Sequence, residues 1–98
     1  MAEKAPKLTD QELTAELQKL EGWQLVDGQI VRTFRFVDFV TAIRFVNDAA
    51  KLAEDAGHHP DLDIRYNQVR AALVNHDSGG VTSKDMHLAE QLNQAAGR

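Results

Sequence analysis

Four histidines carry most of the chemistry open to this chain. With no cysteine present, thiolate nucleophiles, disulfides and cysteine zinc sites drop out, and imidazoles and carboxylates are left to move protons. An unperturbed imidazole changes charge near neutrality, which suits it to both giving and taking a proton. His58 and His59 are adjacent in Gly57-His58-His59-Pro60, a connection of the kind that holds functional groups on a rigid scaffold. His76 and His87 follow, and two carboxylates flank the set: Glu54, four residues before His58, and Asp85, nine after His76. Either can orient a histidine or bind a polar substrate edge. Each also has a plain structural reading, Glu54 as a solvated helix residue and Asp85 as the acidic member of a helix cap.

Other chemistries fit poorly. Neighbours in extended chain point to opposite sides, so His58-His59-Pro60 does not set two ligands on one ion. No H-E-x-x-H or comparable spacing occurs, and no metal is expected. There is no glycine-rich phosphate loop and no G-x-S-x-G elbow; Ser78-Gly79-Gly80 reads as an ordinary loop. Trp23 and Tyr66 read as core or sheet-edge aromatics.

The elements that must position these residues follow from periodicity. Thr9 and Glu12 form a capping-box pattern before Leu13, Leu17 and Leu20, which predicts a short amphipathic helix stopped by Gly22. Trp23–Val26, Asp27-Gly28 and Ile30–Phe36 predict a hairpin. Asp38 can cap a central helix whose apolar positions are Phe39, Ala42, Ile43, Val46, Ala49, Ala50 and Ala53, ending at Gly57. Leu62, Ile64 and Tyr66 and then Val69, Ala71 and Leu73 alternate with polar residues, predicting two strands joined near Asn67-Gln68. Thr82 and Asp85 repeat the capping-box pattern and open a last helix through Met86, Ala89 and Leu92.

The order α-β-β-α-β-β-α makes an α+β fold, a four-stranded antiparallel sheet with three helices on one face. His76 then ends the fourth strand level with the start of the third, and three histidines converge at one sheet edge. Strand alternation puts Ile30, Phe34 and Phe36 on one side and Val31, Thr33 and Val37 on the other. Apolar groups on both faces predict self-association.

Composition bounds the rest. Ninety-eight residues are one domain's worth, and 43% apolar with 27% charged residues is an ordinary globular balance. Residues 1–7 read as a disordered leader and residues 8–98 as a single domain. A net charge of −4 has the wrong sign for unaided nucleic-acid binding. No long apolar run or signal core occurs, so no membrane association is expected and the chain is placed in the cytoplasm.

Glu54, His58, His59, Pro60, Tyr66, His76 and Asp85 fill the pattern acidic-x3-His-His-Pro-x5-aromatic-x9-His-x8-Asp. In this, in Gly22-Trp23 and in Phe34-Arg35-Phe36-Val37-Asp38-Phe39, the chain resembles the pterin-4a-carbinolamine dehydratases from Leu8 to about Ala95. The resemblance implies a hydro-lyase that converts 4a-hydroxytetrahydropterin to quinonoid dihydropterin and water, in tetrahydropterin recycling, without a metal or cofactor. It implies His58 and His76 as the acid/base pair, His59 as a catalytic residue that also positions the ring, and Pro60 in the binding site. Glu54 would hydrogen-bond the donor-rich edge of the pterin, and Asp85 would orient a histidine or hold the loop. Histidines suit these roles because a free imidazole at neutral pH is about one-quarter protonated.

The sequence departs from many relatives at Leu62, where they have tryptophan, and at Lys84, where some have arginine. The family implies a homodimer or homotetramer and an aromatic amino acid hydroxylase or a molybdopterin enzyme as pathway partner. It also supplies the alternative, a non-catalytic protein-binding module: a dimerisation cofactor of a homeodomain transcription factor, or a Rubisco assembly factor.

Overall fold

The computed structural model describes residues 6–97. Three helices and four strands follow in the expected order: α1 (Asp10–Gln18), β1 (Gln24–Val26), β2 (Gln29–Arg35), α2 (Phe39–Ala56), β3 (Asp61–Arg65), β4 (Gln68–Leu73) and α3 (Ser83–Ala96). The strands form one antiparallel sheet in the order β1-β2-β4-β3. Residues 1–5, most of the expected leader, lie outside those described; Lys7 is already bridged to Thr82, and the Leu8 N–H donates to the Val81 carbonyl at 2.9 Å.

Local chemistry explains each boundary. Thr9 and Glu12 exchange side-chain and backbone hydrogen bonds at 2.9 and 3.1 Å, closing the capping box of α1. Asp27 and Gly28, at φ 51° and 81°, turn β1 into β2 with both loop residues left-handed, the twist that a two-residue hairpin favours. Asp38 caps α2 by accepting the Thr41 N–H at 2.8 Å. Thr41, through its side chain first and its backbone N–H second, holds the Asp38 carboxyl below the ordinary value of 3.8.

The far end of α2 bears directly on the site. Gly57 adopts φ 61°, its N–H reaches the Glu54 carbonyl, and the N–H of His58 reaches back to the Ala53 carbonyl, both at 3.1 Å. This paired closure fixes the path of the chain as it enters the histidines.

Alternate residues of β2 and β4, namely Ile30, Phe34, Val69, Ala71 and Leu73, point at the helices and are buried. Phe34 meets Phe45 of α2 at 4.6 Å between ring centroids and Trp23 edge-on at 6.0 Å. Leu88 and Leu92 of α3 have no exposed surface, and each such side chain contributes about 1.5–3 kcal/mol by leaving water.

Several expectations need correction. The second hairpin turns at Tyr66-Asn67, because Tyr66 takes φ 53° and Asn67 is fixed to Phe36 by Nδ2 donating to its carbonyl at 2.8 Å. Tyr66 is therefore a turn residue and 68% exposed. In α2 the buried stripe is Ala42, Phe45, Ala49 and Ala53. Phe39 sits in the first turn and Ala50 on the outer face, both exposed. On the open sheet face Thr33, Asp63, Arg65, Gln68 and Arg70 line a shallow polar cleft of about 190 Å³, and Val31 and Ala72 pair on the same face. Of the apolar groups expected on that face, Val31 is buried and Val37 lies past the end of β2.

Candidate active site

His58 and Asp85 come from opposite ends of the second half of the chain and meet side chain to side chain. The backbone closure at Gly57 delivers His58 to the end of α2, and the capping box of α3 delivers Asp85 to its first turn. His58 Nε2 lies in hydrogen-bonding contact with Asp85 Oδ1. The other carboxylate oxygen, Oδ2, accepts the Thr82 N–H at 2.7 Å and the Thr82 hydroxyl at 3.3 Å. Asp85 has no exposed surface, and the His58 side chain keeps only 13%. Asp85 therefore caps α3 through one oxygen and meets His58 through the other.

The second pair is solvated. His59 Nε2 lies 2.9 Å from Glu54 Oε2, with both side chains more than 60% exposed at 66% and 79%. Contacts of this kind are worth little to stability and leave both groups free to exchange partners. Pro60 is half-buried and leads directly into β3.

His76 is not the last residue of a strand. β4 stops at Leu73, and Asn75 and Gly80 then bond each other reciprocally at 3.1 Å, closing a small turn with His76 exposed at its start. Asn75 makes this turn by also accepting the Ser78 N–H on Oδ1 at 3.2 Å. Asp61 pairs with Ala72, so the chain leaving Leu73 runs back alongside the connection that holds His58 to Pro60. The ring of His76 makes no hydrogen bond with the described residues. His87 is exposed on α3 and contacts neither pair. Among the described residues, no group of three histidines and carboxylates is arranged to hold a metal ion.

The arrangement offers one imidazole fixed against a buried carboxylate, a second exposed beside Glu54, and a third on a turn. Imidazoles of this kind can supply and remove protons near neutral pH. The capping box of Thr82 and Asp85 is a local pattern visible in the sequence; that the same carboxylate also meets His58, 27 residues away, depends on the fold. A second network was equally hidden: Asn93 Oδ1 accepts Trp23 Nε1 at 2.7 Å and Arg32 at 2.8 Å, tying α3 to the sheet away from the histidines.

Known proteins resemble this chain along nearly its whole length. A family model described as pterin 4 alpha carbinolamine dehydratase matches residues 6–95. A Chloroflexus aurantiacus protein provisionally named pterin-4-alpha-carbinolamine dehydratase is 50% identical over 92 residues, covering 94% of this chain and 99% of its own. One from Gloeobacter violaceus, named in the same provisional way, is 53% identical over 90 residues, covering 88% and 98%. A solved structure of a transcriptional coactivator/pterin dehydratase from Brucella melitensis superposes with a TM-score of 0.89 at 41% identity, covering 92% of this chain and 98% of that one. A pterin dehydratase-like protein identified as a RuBisCO assembly factor in the alpha-carboxysome shares the fold at a TM-score of 0.64 and 21% identity, covering 76% and 87%.

Proposed function

The chain belongs to the pterin 4 alpha carbinolamine dehydratase family, and from that premise we propose that it dehydrates 4a-hydroxytetrahydropterins by histidine acid/base catalysis. In this reaction the C4a–O bond breaks and a proton joins the departing oxygen to make water. N5 gives up its proton, and the electron pair left on it closes the C4a=N5 double bond of the quinonoid product. One proton is delivered and one removed, with no net oxidation, so an acid and a base on the same flat ring suffice.

His58 and His76 take the acid and base roles, and His59 grips the ring. Glu54, which His59 holds in the free protein, exchanges that partner for the N–H-rich edge of the pterin. Pro60 stiffens the connection from the two histidines into β3. Asp85, fully buried, acts by holding His58 and not by touching substrate.

The observation that carries this reading is the His58–Asp85 pair. A carboxylate with no exposed surface, aimed at a histidine that keeps a little, is what a positioned proton carrier requires. A protein-binding scaffold has no such need, although the Brucella melitensis relative's description as a coactivator/pterin dehydratase keeps a second, partner-binding role in view. We place the activity in the cytoplasm, in a homodimer or homotetramer, downstream of an aromatic amino acid hydroxylase or a molybdopterin enzyme.

Chemically generated 4a-hydroxytetrahydropterin, followed by ultraviolet absorbance, tests the reading. Accelerated conversion to quinonoid dihydropterin by the purified protein is expected; a rate equal to buffer alone would favour the scaffold.

A further inference from the structure

We propose that Thr82 is a positioning residue that selects which nitrogen of His58 exchanges protons, and that this nitrogen is Nδ1. The proposal deepens the dehydratase reading and rests on it for its kinetic consequence, but its structural half stands on geometry alone.

Asp85 has two oxygens and they are divided between two jobs. Both donors on Oδ2 belong to one residue: Thr82 gives its backbone N–H at 2.7 Å and its hydroxyl at 3.3 Å. Thr82 is itself fully buried, bridged to Lys7 on one side and accepting the Lys84 N–H at 3.2 Å on the other. A carboxylate held twice on one oxygen has little freedom to rotate, so Oδ1 stays on His58 Nε2. An ionised carboxylate only accepts, so the shared proton lies on Nε2, and the neutral ring then carries its lone pair on Nδ1.

Nδ1 is also the nitrogen that can reach a substrate. It makes no hydrogen bond with the described residues, and no buried side-chain nitrogen or oxygen among them lacks a partner. Nδ1 must therefore lie at the surface, within the 13% of the His58 side chain that is exposed. The backbone of His58 is pinned to Ala53, which leaves ring rotation as its main freedom, and Thr82 removes that through Asp85.

The test compares wild type, Thr82→Val and Thr82→Ser. Valine keeps the branched shape and the backbone N–H but removes the hydroxyl; serine restores it. Long-range proton–nitrogen NMR on 15N-histidine-labelled protein, at a pH where the ring is neutral, reads the tautomer directly. We expect wild type and Thr82→Ser to show His58 with a protonated Nε2 and a bare Nδ1, and Thr82→Val to show a mixture of tautomers. In dehydration, Thr82→Val should lose about tenfold in kcat with KM within about twofold, and Thr82→Ser should recover most of it.

A wild-type His58 protonated on Nδ1 would overturn the proposal, as would a folded Thr82→Val protein with wild-type His58 shifts. A purely structural role for Thr82 would lower stability and leave the tautomer unmoved, which also counts against it. If the tautomers behave as expected and no variant dehydrates the pterin, positioning by Thr82 is upheld and the reading of the reaction is what fails.

Discussion

A carboxylate without solvent contact acts only on the atoms packed against it, and for Asp85 these are the donors of Thr82 and the ring of His58. Asp85→Ala should therefore cost stability and rate together. The Thr82 N–H loses its buried partner, worth about 1–3 kcal/mol, which urea denaturation would read as a lower midpoint. His58→Ala and His76→Ala should each lower the maximal rate by about 10²–10⁴-fold with the circular dichroism unchanged, whereas His59→Ala should act mainly on KM. Wild-type rates in all three folded variants would contradict these roles. EDTA should leave the rate unchanged; loss that returns with zinc would point to metal chemistry instead. At this scale the sequence exposed the candidates but not their pairing. Residue type and spacing offer two readings of Asp85, and only the meeting of α2's end with α3's start sets one oxygen against Thr82 and the other against His58.

The helices and hairpins work as mounts, and their ends are where the mounting is done. Gly57 holds φ 61° immediately before His58, a conformation that costs a residue with a Cβ about 1–2 kcal/mol. Gly57→Ala should lose roughly that much stability, and Gly57→Asn less, by equilibrium denaturation; equal stability of all three would show that the turn is not the anchor. At the other end of α2, the Asp38 carboxyl is pulled below its ordinary 3.8 by Thr41. A carboxyl with a lowered folded pKa stabilises above its unfolded pKa, and that contribution fades as pH drops through the folded value. Asparagine caps almost as well without a charge. Wild type should therefore melt above Asp38→Asn at neutral pH, and the gap should close as the solution is acidified below 3.8. A gap that widens in acid would contradict this.

Element order was legible because capping boxes, Asp27-Gly28 and alternating strands are local signals. The Tyr66-Asn67 turn was not. A left-handed tyrosine has poor local support, and the turn is fixed by the tertiary bond from Asn67 to Phe36. The sequence pattern puts His76 on a strand end for a similar reason, since the Asn75–Gly80 closure depends on reciprocal backbone bonds that its sequence does not announce.

At the scale of the molecule, the sheet's uncovered face is the surface to explain. Thr33, Asp63, Arg65, Gln68 and Arg70 line a polar cleft on it, and Val31 and Ala72 pair on the same face, so its apolar part is small. Three exposed apolar side chains gather elsewhere: Val37, Phe39 and Val40, in the connection into α2 and its first turn, at 84%, 48% and 65% exposure. Apolar side chains grouped this closely tend to find a partner. Light scattering at micromolar concentration should give a mass of at least twice 10.9 kDa, and a mass of 10.9 kDa would contradict the expected homo-oligomer. Among the described residues no helix is long and apolar enough to cross a membrane.

In the proposed reaction His58, held by buried Asp85, moves a proton in pterin dehydration. Initial rates of 4a-hydroxytetrahydropterin dehydration by wild type and His58→Ala, at equal concentration of folded protein, test it most directly. A wild-type rate well above buffer, reduced about 10²-fold or more in His58→Ala, is the expected result. Equal rates for the two proteins, whether at wild-type turnover or at the buffer background, would contradict it.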